Sequence, residues 1–96
     1  MRNYECMFIL KPEMEEEAIQ QAVDKYSAIV TDGKGEVVSV DKWGKRRLAY
    51  EIKDLMEGYY VLITFKSEPA VAKELDRVMK ISEDMLRFMI IHLDEK

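Results

Sequence analysis

Residues 36–66 read EVVSVDKWGKRRLAYEIKDLMEGYYVLITFK, and this stretch decides the fold. Residues 36–53 are rich in side chains that favour β-strands, and Gly44 permits a bend or bulge among them. Residues 54–58 are typical of a turn, whereas residues 59–66 are aromatic and β-branched, as in a second strand. The stretch therefore predicts a long antiparallel hairpin in the middle of the chain.

A strand and a helix lie on each side of this hairpin. Residues 3–10 alternate as in a strand, and residues 13–31 repeat apolar side chains at helical spacing. Beyond the hairpin, Pro69 is well placed to begin a second helix, and residues 85–93 are typical of a last strand. Two helices with one apolar face each must pack on the same face of the sheet. We therefore predict one α+β domain over residues 1–96 with the ferredoxin-like βαββαβ order, a four-stranded antiparallel sheet with two helices on one face.

The composition excludes several kinds of protein. No leader is recognised at the start and no apolar run is long enough to span a membrane, so we expect a cytoplasmic protein. The one cysteine, Cys6, excludes an internal disulfide and a cysteine-built metal site, and we interpret it as a buried strand residue. The one histidine, His92, lies in an apolar strand, and no glycine-rich phosphate loop is present. We expect no enzyme activity, no metal site and no cofactor.

The distribution of charge matters more than its total. The net charge of −4, from 19 acidic and 15 basic residues, argues against strong unaided binding to nucleic acid. Acidic side chains concentrate at residues 13–17 and basic ones at residues 42–47. The basic segment holds four cations, Trp43 and Gly44, a pattern that fits phosphate contact with stacking by the indole. It fits equally a solvated piece of hairpin with Trp43 half-buried, and the residues alone leave both interpretations open.

Strand alternation also predicts which side chains face away from the helices. If Phe8 and Phe65 face the helices, the residues of opposite parity form an open face. That face is too apolar for a surface meant to remain in water, so we favour a protein-docking surface over an ordinary surface with scattered apolar residues. Base stacking there is not expected, because the first strand offers it no aromatic side chain. Its predicted members are Glu5, Met7, Ile9, Tyr60, Leu62, Thr64, Arg87, Met89 and Ile91.

Four segments carry a family resemblance: MRNYE at residues 1–5, WGKRRLAYEI at residues 43–52, GYY at residues 58–60 and ISEDMLRF at residues 81–88. Together they resemble bacterial small-subunit ribosomal protein six. The resemblance spans essentially the whole chain, and the middle segment is its specific part. It implies a non-catalytic component of the small ribosomal subunit with a ferredoxin-like domain. It also implies binding to the central domain of small-subunit ribosomal RNA as a heterodimer with a basic neighbour, ribosomal protein eighteen.

The resemblance and the strand parity together give candidate contact residues. For RNA they are Arg2, Lys42, Trp43, Lys45, Arg46, Arg47 and Arg87. Among these, Arg2 could extend the central basic segment from the start of the first strand, although one N-terminal arginine is weak evidence. For the partner protein, from strand parity and not from the resemblance, they are Met7, Tyr60, Leu62, Met89 and Ile91. Three residues of the middle segment are expected in the core: Leu48, Tyr50 and Ile52.

Two other functions are compatible with this fold. The open face could serve self-association, which a monomer mass independent of concentration would contradict. A small-molecule or phosphoryl-transfer enzyme of the same fold would require a pocket with activated residues. The sequence offers no such constellation, and Leu10-Lys11-Pro12 stands where acylphosphatases have a glycine-rich loop.

Overall fold

The computed structural model describes residues 1–52 and 55–93, apart from the side chains of residues 49 and 51. In chain order, the elements are β1 (Arg2–Leu10), α1 (Glu16–Asp32), β2 (Glu36–Ile52), β3 (Leu55–Ser67), α2 (Pro69–Lys80) and β4 (Met85–His92). The four strands form one sheet in the order β2-β3-β1-β4, with every neighbouring pair antiparallel. The predicted ferredoxin-like order and sheet are therefore confirmed.

Both helices begin where the local chemistry favours a helix start. α1 begins at Glu16, later than predicted, because a turn precedes it in which the Met14 N–H donates to the Lys11 carbonyl (3.3 Å). Its first turn carries Glu16 and Glu17, where negative charge is favoured. α2 begins with Pro69 at its start, as predicted, since proline lacks the N–H that this position leaves unpaired. Among the described residues, neither helix is long and apolar enough to cross a membrane.

The hairpin of β2 and β3 is longer than predicted. The turn expected at residues 54–58 is wrong, because β3 already begins at Leu55. Leu55 pairs with Ile52, and Gly58 pairs with Arg46. Cross-strand pairing with β2 thus overrides the weak strand preference of these residues. The first residue of the expected turn lies outside the described part of the chain.

Gly44 is the site of a β-bulge, as predicted. The register between β2 and β3 shifts between Lys42 and Gly44, which leaves Trp43 as the extra residue. Gly44 has a φ of 87°, a conformation that glycine adopts at little cost. The bulge therefore sets the position of the Trp43 indole.

The core lies between the sheet and the two helices. Phe8 of β1 meets Tyr26 of α1 edge to face, with ring centroids 5.3 Å apart, and Tyr4 stacks on Phe65 at the same distance. Phe8, Tyr26 and Phe65 are at most 1% exposed. Full burial of one such side chain contributes about 1.5–3 kcal/mol. The predicted inward parity of β1 and β3 is therefore confirmed, and the opposite face of the sheet is left without helices.

The two side chains with nucleophile or base chemistry are packed into this fold. Cys6 is fully buried with its Sγ 3.6 Å from Met79 Sδ, and burial raises the pKa of its thiol to about 12. The thiol is therefore neutral at pH 7 and unreactive. His92 packs against Tyr4, with ring centroids 5.2 Å apart. Within the described part of the chain, no three His, Cys, Asp or Glu side chains are placed to hold a metal ion.

Candidate functional site

The open face carries three rows of side chains across the sheet. The antiparallel registers place one residue of each strand in every row. All the residues predicted from strand parity to share this face do so. In the order β2, β3, β1 and β4, the rows are Ser39, Thr64, Glu5 and Ile91; Asp41, Leu62, Met7 and Met89; and Gly44, Tyr60, Ile9 and Arg87.

Five of these side chains form a continuous apolar surface, here called the apolar strip. Met89 and Ile91 are 48% and 41% exposed, and the others are half-buried. A contiguous apolar surface that remains exposed on a monomer commonly serves binding. The strip holds every residue predicted to contact the partner, whose role in docking stays a prediction. Its members are Met7, Tyr60, Leu62, Met89 and Ile91.

The far end of the hairpin bends over one end of the open face. This part, residues 46–52 and 55–58, is here called the distal hairpin. Ile9 belongs to the open face but is only 7% exposed, because Leu48 packs beside it around a small cavity. Gly58 allows this approach, since a Cβ there would lie 2.2 Å from Ile9 Cγ2. Leu48 is buried as predicted, and the apolar strip ends where the distal hairpin begins.

Tyr50 is not a core residue, so that prediction is wrong: its side chain is 59% exposed. Parity puts Tyr50 on the same side as Leu48, and both line the small cavity beside Ile9, but only Leu48 is buried there. Tyr50 instead meets Arg87 of β4, which donates a hydrogen bond to the phenol hydroxyl. The Arg87 guanidinium carbon lies 5.7 Å from the Tyr50 ring centroid, within cation–π range. No sequence signal marks this contact between residues far apart in the chain.

Trp43 lies flat on Tyr60 beside the apolar strip. The ring centroids are 6.2 Å apart and the planes differ by 10°. The indole Nε1 donates to Asp41 Oδ2 at 3.2 Å, and the side chain remains 37% exposed. One face of the indole is therefore held by the protein. The geometry leaves the other face as the part available to a ligand.

In the basic segment, one cation is paired with a carboxylate and three are not, within the part of the chain that the structure describes. Lys42 Nζ lies 3.3 Å from Glu16 Oε2 and also bonds to Gln20, so it is held by α1. The next three cations, Lys45, Arg46 and Arg47, are exposed and are here called the cationic ribbon. None of them pairs with a carboxylate among the residues that the structure describes. Successive strand residues face opposite sides, so the ribbon presents charge on both sides of an edge strand.

Arg2 does not extend this cationic ribbon, which corrects the prediction. Arg2 pairs with Ser67 at one end of β3, whereas Lys45 pairs with Tyr59 near the other end. The eight-residue separation along β3 corresponds to about 26 Å. Strand pairing, which a linear reading does not supply, decides this placement. Any RNA contact by Arg2 would be a separate one.

The family profile and the curated relatives that match this chain indicate the same protein family. Residues 3–92 match the profile of ribosomal protein S6. The small ribosomal subunit protein bS6 of Heliobacterium modesticaldum is 54% identical over 96 residues, covering 100% of both chains. That of Desulforamulus reducens is 56% identical over 95 residues, covering 99% of this chain and 100% of the relative.

Solved structures agree with this match. The crystal structure of 30S ribosomal protein S6 from Thermotoga maritima superposes with a TM-score of 0.89 at 32% identity, covering 95% of this chain and 86% of that one. A chemotaxis kinase P2 domain from the same organism shares only the fold, with a TM-score of 0.60 at 14% identity. The resemblance noted in the sequence is confirmed. The chain belongs to the ribosomal protein S6 family of the small ribosomal subunit, whose role is structural and not enzymatic.

Proposed function

We propose that this chain binds the central domain of small-subunit ribosomal RNA cooperatively, as a heterodimer with ribosomal protein eighteen, in the bacterial cytoplasm. The identity of the partner and of the RNA region comes from the family resemblance. The observation that carries the proposal is the position of the cationic ribbon beside the apolar strip on one sheet. Protein and RNA can then be bound side by side, and no chemical step takes place.

The apolar strip is the half of this surface that suits a protein. Met7 lies directly between Leu62 and Met89, so their side chains form a band across three strands. Covering apolar surface releases about 25 cal/mol per Å². A basic partner also suits a chain whose net charge is −4. Such a partner would supply the phosphate contacts that this chain makes only sparsely.

The cationic ribbon is the half that suits RNA. Its side chains have no described carboxylate partner to give up, so contact with phosphates costs no internal ion pair. Trp43 stands between the ribbon and the apolar strip, whereas Arg87 lies beside the strip on the opposite edge strand, β4. Either side chain could contact RNA or the partner. Lys42 would have to leave Glu16 and Gln20 to reach a phosphate, which makes it a weaker candidate.

Methionine oxidation tests the docking half of the proposal. We expect a complex with ribosomal protein eighteen to protect Met89 (48% exposed) from hydroxyl-radical oxidation, because it lies in the apolar strip. Met56 is 52% exposed on the distal hairpin, away from the strip, and serves as the matched control. Protection of Met89 with Met56 unchanged supports the proposal. An unchanged oxidation rate at Met89 in a fully formed complex contradicts it.

A further inference from the structure

We propose that Glu5 is the specificity-determining residue of the open face and that it receives a guanidinium or ammonium group of the docking protein. The inference rests on the docking function proposed above and adds the chemistry by which the partner is selected. The occupant is a protein segment that places apolar side chains on the strip and one cation at the end of the strip.

Glu5 lies at one end of the apolar strip, next to Met7 and Ile91. It belongs to a central strand, with Thr64 of β3 on one side and Ile91 of β4 on the other. Met7 follows it on the same face of β1. The Glu5 side chain is half-buried, and no hydrogen bond or ion pair to it occurs among the residues that the structure describes. Its carboxylate is therefore solvated from the open side alone.

The other described charged groups of the open face neither offer a free carboxylate to a partner cation nor pair with Glu5. Asp41 lies on the edge strand β2 and already accepts the indole N–H of Trp43. Arg87 stands two rows away and is engaged by Tyr50. Lys66 lies diagonal to Glu5 across β1 and β3, but directly opposite Glu36. Glu5 is thus the carboxylate that a docking protein would cover without any internal compensation.

The cost of removing water from the Glu5 carboxylate makes the open face selective for a basic partner. A carboxylate covered by an apolar surface loses its water and gains nothing in return, a cost that disfavours an apolar-only partner. A partner cation at the same point forms a charge-assisted hydrogen bond that offsets the lost hydration. The face therefore rejects a second copy of itself, which would bring another Glu5 toward the same region, and accepts a basic segment.

Substitutions at Glu5 test the inference in the intact heterodimer with ribosomal protein eighteen. Glu5→Gln removes the charge at nearly constant shape, and we expect the Kd to rise about tenfold or more. Glu5→Met is the sharper variant. An apolar surface alone predicts tighter binding by Glu5→Met, whereas a buried partner cation predicts weaker binding, because that cation is left unpaired. Thermal unfolding of each variant verifies that the fold is retained.

Two controls separate this inference from the docking function itself. Glu36→Gln and Lys66→Gln change exposed charges of the same face at its rim, and we expect each Kd to stay within about twofold of the wild type. Leu62→Asp places a charge in the strip and should abolish heterodimer formation. If Leu62→Asp abolishes binding while Glu5→Gln and Glu5→Met bind as tightly as the wild type, the role of Glu5 is refuted and docking stands. If Leu62→Asp binds normally, docking at this face is refuted.

Discussion

Arg87 of β4 donates a hydrogen bond to the hydroxyl of Tyr50, near the far end of β2, so the two edge strands of the sheet are joined across its open face. The guanidinium carbon also lies 5.7 Å from the Tyr50 ring centroid. Because the cationic ribbon belongs to the same strand as Tyr50, the contact fixes the ribbon relative to the apolar strip. A surface shared by protein and RNA requires such a fixed relation.

Removing the hydroxyl in Tyr50→Phe should loosen the distal hairpin. The ring and its contact with the guanidinium remain, so we expect a loss of about 0.5–1 kcal/mol in the free energy of unfolding. Backbone amides of residues 46–52 should exchange faster with solvent in hydrogen-exchange measurements, while those of α2 stay unchanged. Unaltered exchange in the distal hairpin would show that Arg87 does not hold it.

A side chain at position 58 should push the distal hairpin away from Ile9. The Cβ of Gly58→Ala would lie 2.2 Å from Ile9 Cγ2, too close for any ordinary contact. We expect Gly58→Ala to lower the free energy of unfolding by about 1–3 kcal/mol, measured by denaturant titration.

The matched control for this clash is the double variant. Ile9→Ala removes Cγ2, so the penalty of Gly58→Ala should largely disappear in an Ile9→Ala background. If Gly58→Ala lowers the free energy of unfolding by the same amount with and without Ile9→Ala, the absence of a side chain at position 58 is not required by Ile9.

The sequence predicted the strands and their faces well, because burial on one side of a sheet leaves an alternating pattern. It did not predict where β3 begins, since Glu57 and Gly58 look like a turn until β2 pairs with them. Parity told which side Tyr50 faces but not whether anything covers it. The place of Arg2 depends on strand register, and no local pattern encodes a register between distant segments.

The raised pKa of Cys6 predicts a pH-dependent stability. The thiol pKa rises from 9.0 unfolded to about 12 folded, so the contribution is fully present below pH 9 and is lost as the pH rises through about 12. The free energy of unfolding of the wild type should therefore fall more steeply above pH 9 than that of Cys6→Ala. Burial also raises the pKa of Tyr26 in both proteins, and only the smaller electrostatic effect of Cys6 on Tyr26 is lost in Cys6→Ala. Parallel pH profiles would contradict the burial of the thiol.

Replacing the cationic ribbon by alanine at Lys45, Arg46 and Arg47 should reduce the salt dependence of RNA binding. Each lost phosphate contact removes about 0.7–0.9 from the slope of log K against log salt. The control is a triple alanine variant of Lys25, Lys73 and Arg77, which are exposed on the helices. Equal slopes for the two triple variants would mean that the ribbon does not touch the RNA backbone.

The central claim is that protein docking and RNA binding share one surface and reinforce each other. The most direct measurement is binding of this chain to a central-domain ribosomal RNA fragment across a salt series, with and without ribosomal protein eighteen. We predict weak binding by the chain alone, in keeping with its net charge of −4, and tight binding with the partner present. Equal affinity in both cases would contradict the claim, because the chain would then recognise RNA without using its open face.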